Sequence, residues 1–309
     1  MLLLVRLRFR SALRIGGGDT TQDDEFQGIV HSDTLFSALM NEWVRLFPNG
    51  EVDKLITDIP FKLSSAFPYY LNEYYLPTPI GTGKLYMEKL KEVPFLELYD
   101  FLDLAEGNSQ GIMKKELKNP VDEMIFNLTV PRVSIDRISA STNIFSSTGW
   151  LFKEGGGLYF FVELKDETFR GNFEICMRLL GQSGLGADRS IGYGYFECEI
   201  EEVNAGSPWV DMFKARGGDS RTAYYALSLI YPSKEEAREA ISYKSLTRRG
   251  WIFSRSSTVQ LKRRACKMFA EGSLFRKPIN GGVASVTPMD FIDHSVYRYG
   301  IGMMVEIVS

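Results

Sequence analysis

Residues 184–196 read G-L-G-A-D-R-S-I-G-Y-G-Y-F, a glycine-rich stretch between a predicted helix and a predicted strand. Its closely spaced glycines are Gly184, Gly186, Gly192 and Gly194. Glycine accepts positive φ and has no side chain, so the backbone can approach a phosphate here, with Arg189 and Ser190 beside it. The spacing is not that of a P-loop, because no Gly-Lys-Ser/Thr follows. A tight connection into the last strand, without a ligand, is the alternative interpretation.

The segments on both sides of this stretch have regular periodicities. Apolar residues recur with helical spacing from Phe169 to Leu180, and Gly181 ends that pattern. The strand after the stretch runs to Val203. At the start of the chain, residues 5–10 read V-R-L-R-F-R, so apolar side chains alternate with arginines. This period of two predicts a half-buried strand that exposes a basic face.

A first helix follows this strand. Apolar residues between Leu35 and Phe47 have helical spacing, and Pro48 lies at the predicted end. Ser32 or Asp33 is the predicted N-cap, because a short polar side chain can accept bonds from the first free N–H groups.

In the middle of the chain, the sequence pattern predicts hairpins over residues 127–164. It also predicts an acidic, solvated insertion between Glu92 and Glu106, within a longer insertion at about 85–125. Strand, helix, strands, helix and strand in this order are typical of a ferredoxin-like βαββαβ module. We therefore expect an α+β protein whose first domain covers residues 1–205.

A second, smaller domain is predicted over residues 221–309, after a Gly- and Ser-containing linker at 205–220. Its pattern predicts a strand over 223–231, a short charged helix over 234–241 and a final strand from Tyr297. We interpret it as a partly degenerate copy of the first ferredoxin-like module.

Composition narrows the function classes. The chain has 309 residues, 44% of them hydrophobic and 24% charged, which is typical of a globular protein. Three separated cysteines and two histidines predict no metal site, and nothing predicts a cofactor. No apolar stretch is long enough to cross a bilayer, so we expect a cytoplasmic protein. A net charge of −3 indicates that any RNA contact is local.

The strongest local charge lies between Lys244 and Lys267, where eight Lys or Arg residues occur without an Asp or Glu. Aromatic residues Trp251 and Phe253 interrupt this basic stretch. Because arginine planes and aromatic rings stack on unpaired bases, the stretch predicts contacts to single-stranded RNA. The candidate RNA-binding arginines here are Arg248, Arg249 and Arg255. A solvated surface is the alternative.

Two further segments could contact RNA. Arg132 and Arg137 bracket apolar residues and should fall on opposite faces of an extended hairpin, although they could also be unrelated surface charges. His31 precedes the first helix near Asp19 and could act as an acid or base. No second histidine or other partner can be assigned to it, so catalysis is the less favoured interpretation.

Four ordered motifs together resemble the Csm-type RAMP proteins of type III-A CRISPR effectors. These motifs are H-S-D-T-L-F-S-A-L at residue 31, P-R-V-S-I-D-R at 131, the stretch at 184–194 and V-Y-R-Y-G-I-G at 296. The resemblance is to the subunit family that binds the repeat-derived 5′ handle of the crRNA. It implies two RRM-like modules, a thumb-like hairpin at about 128–152, and no nuclease activity.

The resemblance also implies partners and contacts. The partners would be the crRNA, the large polymerase-like subunit, the backbone RAMP subunits and, through the guide, the target RNA. The implied RNA-binding residues are His31, Ser32, Asp33, Arg132, Arg137, Arg189, Ser190, Arg248, Arg249, Arg255 and Arg298. Two other functions stay open: a metal-independent crRNA-processing endoribonuclease using His31, and an adaptor that contacts protein only.

Overall fold

The computed structural model describes residues 1–16, 26–48, 52–81, 90, 93–108, 110–115, 117, 119, 121–138, 141–216, 222–253 and 261–308. The helices are α1 (Ser32–Leu46), α2 (Val52–Thr57), α3 (Leu98–Ala105), α4 (Gln110–Lys114), α5 (Val121–Met124), α6 (Arg170–Ser183) and α7 (Pro208–Met212). In these parts of the chain, none of them is long and apolar enough to cross a bilayer.

The strands are β1 (Leu2–Phe9), β2 (Phe61–Leu63), β3 (Phe67–Tyr70), β4 (Glu73–Pro77), β5 (Phe95–Glu97), β6 (Ile125–Ile135), β7 (Thr142–Phe152), β8 (Gly156–Leu164), β9 (Phe196–Glu202), β10 (Thr222–Ala226), β11 (Ala240–Ser242), β12 (Ser245–Arg248), β13 (Cys266–Phe269), β14 (Leu274–Phe275), β15 (Gly281–Ser285), β16 (Tyr297–Ile301) and β17 (Met304–Val308). They form several antiparallel sheets, so the predicted α+β class is confirmed.

The largest sheet has the order β5-β4-β3-β8-β1-β9, and β2 also pairs with β8. One face packs against α1 and α6, where alternate β1 residues such as Val5 meet Leu39 and Leu180 in a common core. The opposite face packs against α3, α7 and the sheet β11-β14-β10-β17. The large sheet is therefore covered on both faces.

The second face of β1 was predicted to be basic and exposed, and this is confirmed only at the end of the strand, where Arg8 and the following Arg10 are exposed. Leu4 on that face is buried in the core. Arg6 forms ion pairs with Glu199 and Glu201, which β9 places next to it. Sequence periodicity could not show this, because the neutralising strand follows 190 residues later.

The acidic segment predicted as a solvated insertion is part of the fold over its described residues, 93–106. β5 joins the large sheet, and α3 buries Leu98, Phe101 and Leu104 in the core. The acidic residues occur among apolar residues with helical spacing. In an amphipathic helix, this apolar stripe indicates burial more reliably than the charge of the segment does.

The C-terminal part departs from the prediction in three places, and the first is the strand predicted over 223–231, which ends at Ala226 as β10. In 222–253 and 261–308 the structure contains no α-helix, and the predicted helix at 234–241 is a single 3-10 turn, Glu236–Glu239. Glu236 accepts bonds from the N–H groups of Asn280 and Gly281 at 2.8 and 3.0 Å, and β11 follows immediately by pairing with β14. Tertiary contacts thus outweigh helix propensity. The predicted final strand is divided into β16 and β17.

The predicted linker at 205–220 contains α7, which buries Trp209 and Met212 in the core. That core joins residues from both sides of the linker, including Phe161 and Tyr225. In a second core, Tyr299 of β16 packs against Phe36 of α1. Their rings are stacked, with the ring centroids 4.7 Å apart. The N- and C-terminal parts therefore share their hydrophobic cores.

Candidate nucleic-acid interface

A cleft of about 300 Å³ brings together four segments of the chain, one of which is Ile15 and Gly16 after β1. Helix α1 contributes Thr34, Ser37 and Asn41 to its lining. The glycine-rich loop contributes residues 185–187 and Arg189, and the basic segment contributes residues 248–251 and Phe253. The structure thus joins the predicted helix start, loop and basic stretch in one place.

The glycine-rich loop is shaped mainly by contacts with its own chain. Gly186 has φ +91°, and a Cβ there would lie 2.2 Å from the Arg14 carbonyl oxygen. Gly194 has φ +77°, and its Cβ would lie 2.0 Å from the Leu185 carbonyl oxygen. The close backbone approach predicted here therefore occurs within the protein. The loop needs glycine to fold into the wall of the cleft.

Two exposed aromatic rings lie at the mouth of the cleft, each beside a cation. The Arg189 guanidinium lies 4.8 Å from the centre of the Phe253 ring, which is 49% exposed. Lys262 Nζ lies 5.1 Å from the centre of the Trp251 ring, which is 46% exposed. Aromatic surface with adjacent positive charge is the combination that binds unpaired bases and their phosphates. Arg249 is also exposed here.

The predicted N-cap residues of α1 have a different role. His31 is the N-cap, and α1 begins without a side-chain capping bond. Ser32 is buried, and its Oγ accepts a bond from the Leu229 N–H at 3.1 Å. Asp33 is 1% exposed and binds Arg248 and Arg298. These side chains point inward and join α1 to the C-terminal part.

The Asp33 cluster is strongly electrostatic. Arg248 donates to the Asp33 carboxylate from Nε at 3.0 Å and from Nη2 at 3.1 Å, and Arg298 donates from Nη1. Burial alone would raise the pKa of Asp33, but the two guanidinium groups hold it well below its usual range. Arg298 also donates to the Arg249 carbonyl oxygen at 2.7 Å, so the cluster fixes the backbone that carries Arg249 and Trp251.

His31 forms a second link between the two parts. Its Nδ1 lies 2.9 Å from Glu271 Oε1, which also accepts a bond from Ser65 Oγ. Burial would raise the pKa of Glu271, but His31 and Ser65 lower it overall. The His31 side chain is only 18% exposed. This geometry shows a structural contact for the histidine that sequence could not pair with a partner.

The hairpin β6–β7 projects from the fold next to the glycine-rich loop. At its base, Arg14 binds Ser147 and Asp188, and Arg132 lies over the Tyr193 ring at 5.7 Å. Arg137 lies in the turn two residues beyond the end of β6, so the predicted alternation of faces between Arg132 and Arg137 does not extend to it.

Sequence reasoning missed the polar stripe of α1. Thr34, Ser37 and Asn41 are spaced three and four residues apart and so lie on one helix face, a signal that was available. Arg255, Asp19 and part of the glycine run before it lie outside the described residues. The part of the chain that the structure describes contains no cluster of ligands suited to a metal ion.

An antiparallel sheet, covered by helices and flanked by a basic, aromatic cleft, defines an α+β protein of the RNA-binding class. Residues 219–307 match the family model described as the CRISPR Csm4 C-terminal domain. Over most of its length the chain is similar to curated Csm4 proteins of CRISPR systems.

Relatives cover nearly the whole chain. The CRISPR system Cms protein Csm4 of Thermococcus onnurineus (strain NA1) is 27% identical over 89% of this chain and 91% of its own length. The Csm4 protein of Methanocaldococcus jannaschii is 22% identical over 97% of this chain and 95% of its own length.

Solved structures show the same fold. One is a chain of the Csm3-Csm4 subcomplex in the type III-A CRISPR-Cas interference complex, with a TM-score of 0.64 and 18% identity. The match covers 99% of this chain and 99% of that chain. The Csm1-Csm4 cassette in complex with cA4 has a TM-score of 0.61 and 21% identity, covering 99% of this chain and 97% of that chain.

Proposed function

We propose that this chain is the non-catalytic subunit of a type III-A CRISPR effector that binds the repeat-derived 5′ handle of the crRNA. The cleft between α1, the glycine-rich loop and the basic segment carries this proposal. Exposed Trp251 and Phe253 can stack on unpaired handle bases, while Arg189 and Arg249 reach the backbone phosphates. Phosphate contacts position a strand, and base contacts give its identity.

The proposed partners follow from the family. Solved relatives occur with Csm1 and with Csm3, so we propose that this chain docks the large polymerase-like subunit and caps the filament of backbone RAMP subunits in the cytoplasm. It would meet target RNA only through the guide. We also propose a ferredoxin-like first module, since β3, β8, β1 and β9 are neighbours in that order, with α1 after β1 and α6 after β8.

The first test is purification of the complex with its guide, followed by ultraviolet crosslinking and sequencing of the bound RNA. We expect crosslinks from the 185–189 loop and from Trp251 to the handle. Crosslinks confined to spacer RNA, or a complex without guide, would reject the proposal.

The endoribonuclease alternative requires a free His31, whereas the structure pairs its ring with buried Glu271. We expect no cleavage of repeat RNA by the purified chain in the presence of a chelator. Chelator-resistant cleavage that is lost in His31→Gln, with unchanged protein stability, would establish the nuclease instead.

The protein-only adaptor is tested with Arg249→Glu, because Arg249 is exposed while Arg248 is buried with Asp33. Assembly with the partner subunits should persist while guide binding weakens. If assembly fails and RNA binding by the isolated chain is unchanged, the basic segment binds protein.

A further inference from the structure

A second, smaller pocket of about 150 Å³ lies beside the RNA cleft. Ser37, Asn41 and Phe253 line both cavities and form the wall between them. The rest of the lining consists of apolar residues of α1 and α2, one arginine, Arg263, and C-terminal residues that include His294, Ser295 and Tyr297. This pocket has no role in the cleft described above.

Arg263 has an unusual electrostatic position. Its Nε is shielded from solvent and has no hydrogen-bond partner in the described chain. Arg298 and Arg248 repel its guanidinium, whereas Asp33, which both of these arginines already bind, attracts it. Burial, followed by repulsion from Arg298, lowers the pKa of Arg263 to about 10. Arg263 is only partly buried, but the one carboxylate near it is already bound by two other arginines, so an anion that completes the site would stabilise its charge.

The geometry points to an anion site: we propose that the pocket beside Arg263 takes a phosphate group of single-stranded RNA lying in the adjoining cleft. This inference rests on the proposed function, because the RNA strand would reach the pocket across the Ser37–Phe253 wall. Apolar side chains in the lining lower the local dielectric constant and so strengthen the attraction between guanidinium and phosphate. Free phosphate or a nucleotide has the same chemistry, and the test separates these sources.

The first experiment measures the Tm of the full chain in phosphate and in chloride at equal ionic strength and pH 7. Phosphate should raise the Tm of the wild-type chain, since a ligand that binds only the folded state stabilises it. Arg263→Met keeps the apolar stem but removes the charge. It should raise the Tm in chloride and abolish the response to phosphate. Arg178→Met is the matched control, because Arg178 is 73% exposed on α6, and it should respond like wild type.

A charge-retaining variant covers the case in which Arg263→Met does not fold. Arg263→Lys should keep a reduced phosphate response. An equal effect of phosphate and chloride on the wild-type chain would overturn the inference, and so would an unchanged phosphate response in Arg263→Met.

The second experiment measures the salt dependence of binding to crRNA. Arg263→Met should lower the slope of log K against log salt by about 0.7, the value for one phosphate contact on a single strand. Wild-type RNA binding with an unchanged slope in the variant would reject the inference and leave the proposed function standing. No RNA binding, together with an Arg263-dependent phosphate response, would reject the proposed function and assign the pocket to free phosphate. If Arg263→Met weakens only assembly with a partner subunit, the pocket binds an acidic protein segment and the inference fails.

Discussion

Arg248 holds Asp33 with two bonds, and this pair joins the first turn of α1 to the end of β12 across 215 residues of sequence. Both side chains are buried, and Arg298 completes the cluster from β16. The walls of the cleft thus depend on an ion cluster inside the protein.

Asp33→Asn should strongly destabilise the protein, because it removes the negative charge that two buried guanidinium groups share. We expect the free energy of unfolding to fall by about 3–5 kcal/mol in chemical denaturation. Asp290→Asn is the control, since Asp290 is exposed, and it should change stability little. Similar losses in both variants would show that the Asp33 cluster contributes no net stability.

The free energy of unfolding should also depend on pH. Asp33 and Glu271 both have a lowered pKa in the folded protein, so each contributes stability that is fully present above the unfolded pKa values of roughly 4. That stability is lost as the pH falls from about 4 toward the lowered folded pKa values. Denaturation midpoints measured from pH 6 to pH 2 should decline mainly below pH 4, and Asp33→Asn should flatten the decline. An equally steep decline in Asp33→Asn would contradict this.

Trp251→Ala should weaken RNA binding without unfolding the chain, because its ring is exposed at the mouth of the cleft. Loss of one stacked base costs about 1–3 kcal/mol, or about 5- to 140-fold in Kd. Fluorescence anisotropy with a handle-containing RNA measures this. Tyr99→Ala is the control, since Tyr99 is exposed on α3 away from the cleft. An equal effect of the two variants would exclude a stacking role for Trp251.

Arg189→Met tests the charge of the loop. If Arg189 contacts one phosphate, the salt slope for RNA binding should fall by about 0.7, while Arg178→Met should leave it unchanged. The Phe253 ring loses its cation in the same variant, so the affinity at one salt concentration is less informative than the slope.

Two glycine substitutions separate backbone strain from close packing. Gly192 and Gly194 both have positive φ, but only a Cβ at Gly194 would collide with the backbone, at Leu185. Gly192→Ala should cost about 1–2 kcal/mol from its left-handed conformation alone, and Gly194→Ala should cost more. Thermal unfolding measures the order, and a larger loss in Gly192→Ala would show that the loop is shaped differently.

The sequence predicted the elements that carry their own periodicity. The alternation in β1 and the apolar stripes of α1 and α6 gave the α+β class, and α6 ended two residues after the predicted Gly181. The basic stretch and the glycine-rich loop also line the cleft. The side-chain roles of Asp33, Arg248 and Arg298 could not be predicted, because a buried ion cluster and a surface RNA site use the same residue types. Only the three-dimensional contacts distinguish them.

Tyr299 contacts the N-terminal part in two ways: its ring stacks on Phe36, and its hydroxyl accepts a bond from the Leu63 N–H at 2.8 Å. These contacts limit the exchange of domains between homologous proteins. Replacing residues 219–307 with the corresponding domain of a distant homologue would create a chimera whose grafted half meets an unmatched packing surface. Restoring such a chimera would require exchanging the β2 and α1 residues that contact Tyr299 as well. Sequence drift in the two halves of this chain should therefore be coupled, and neither half can diversify alone.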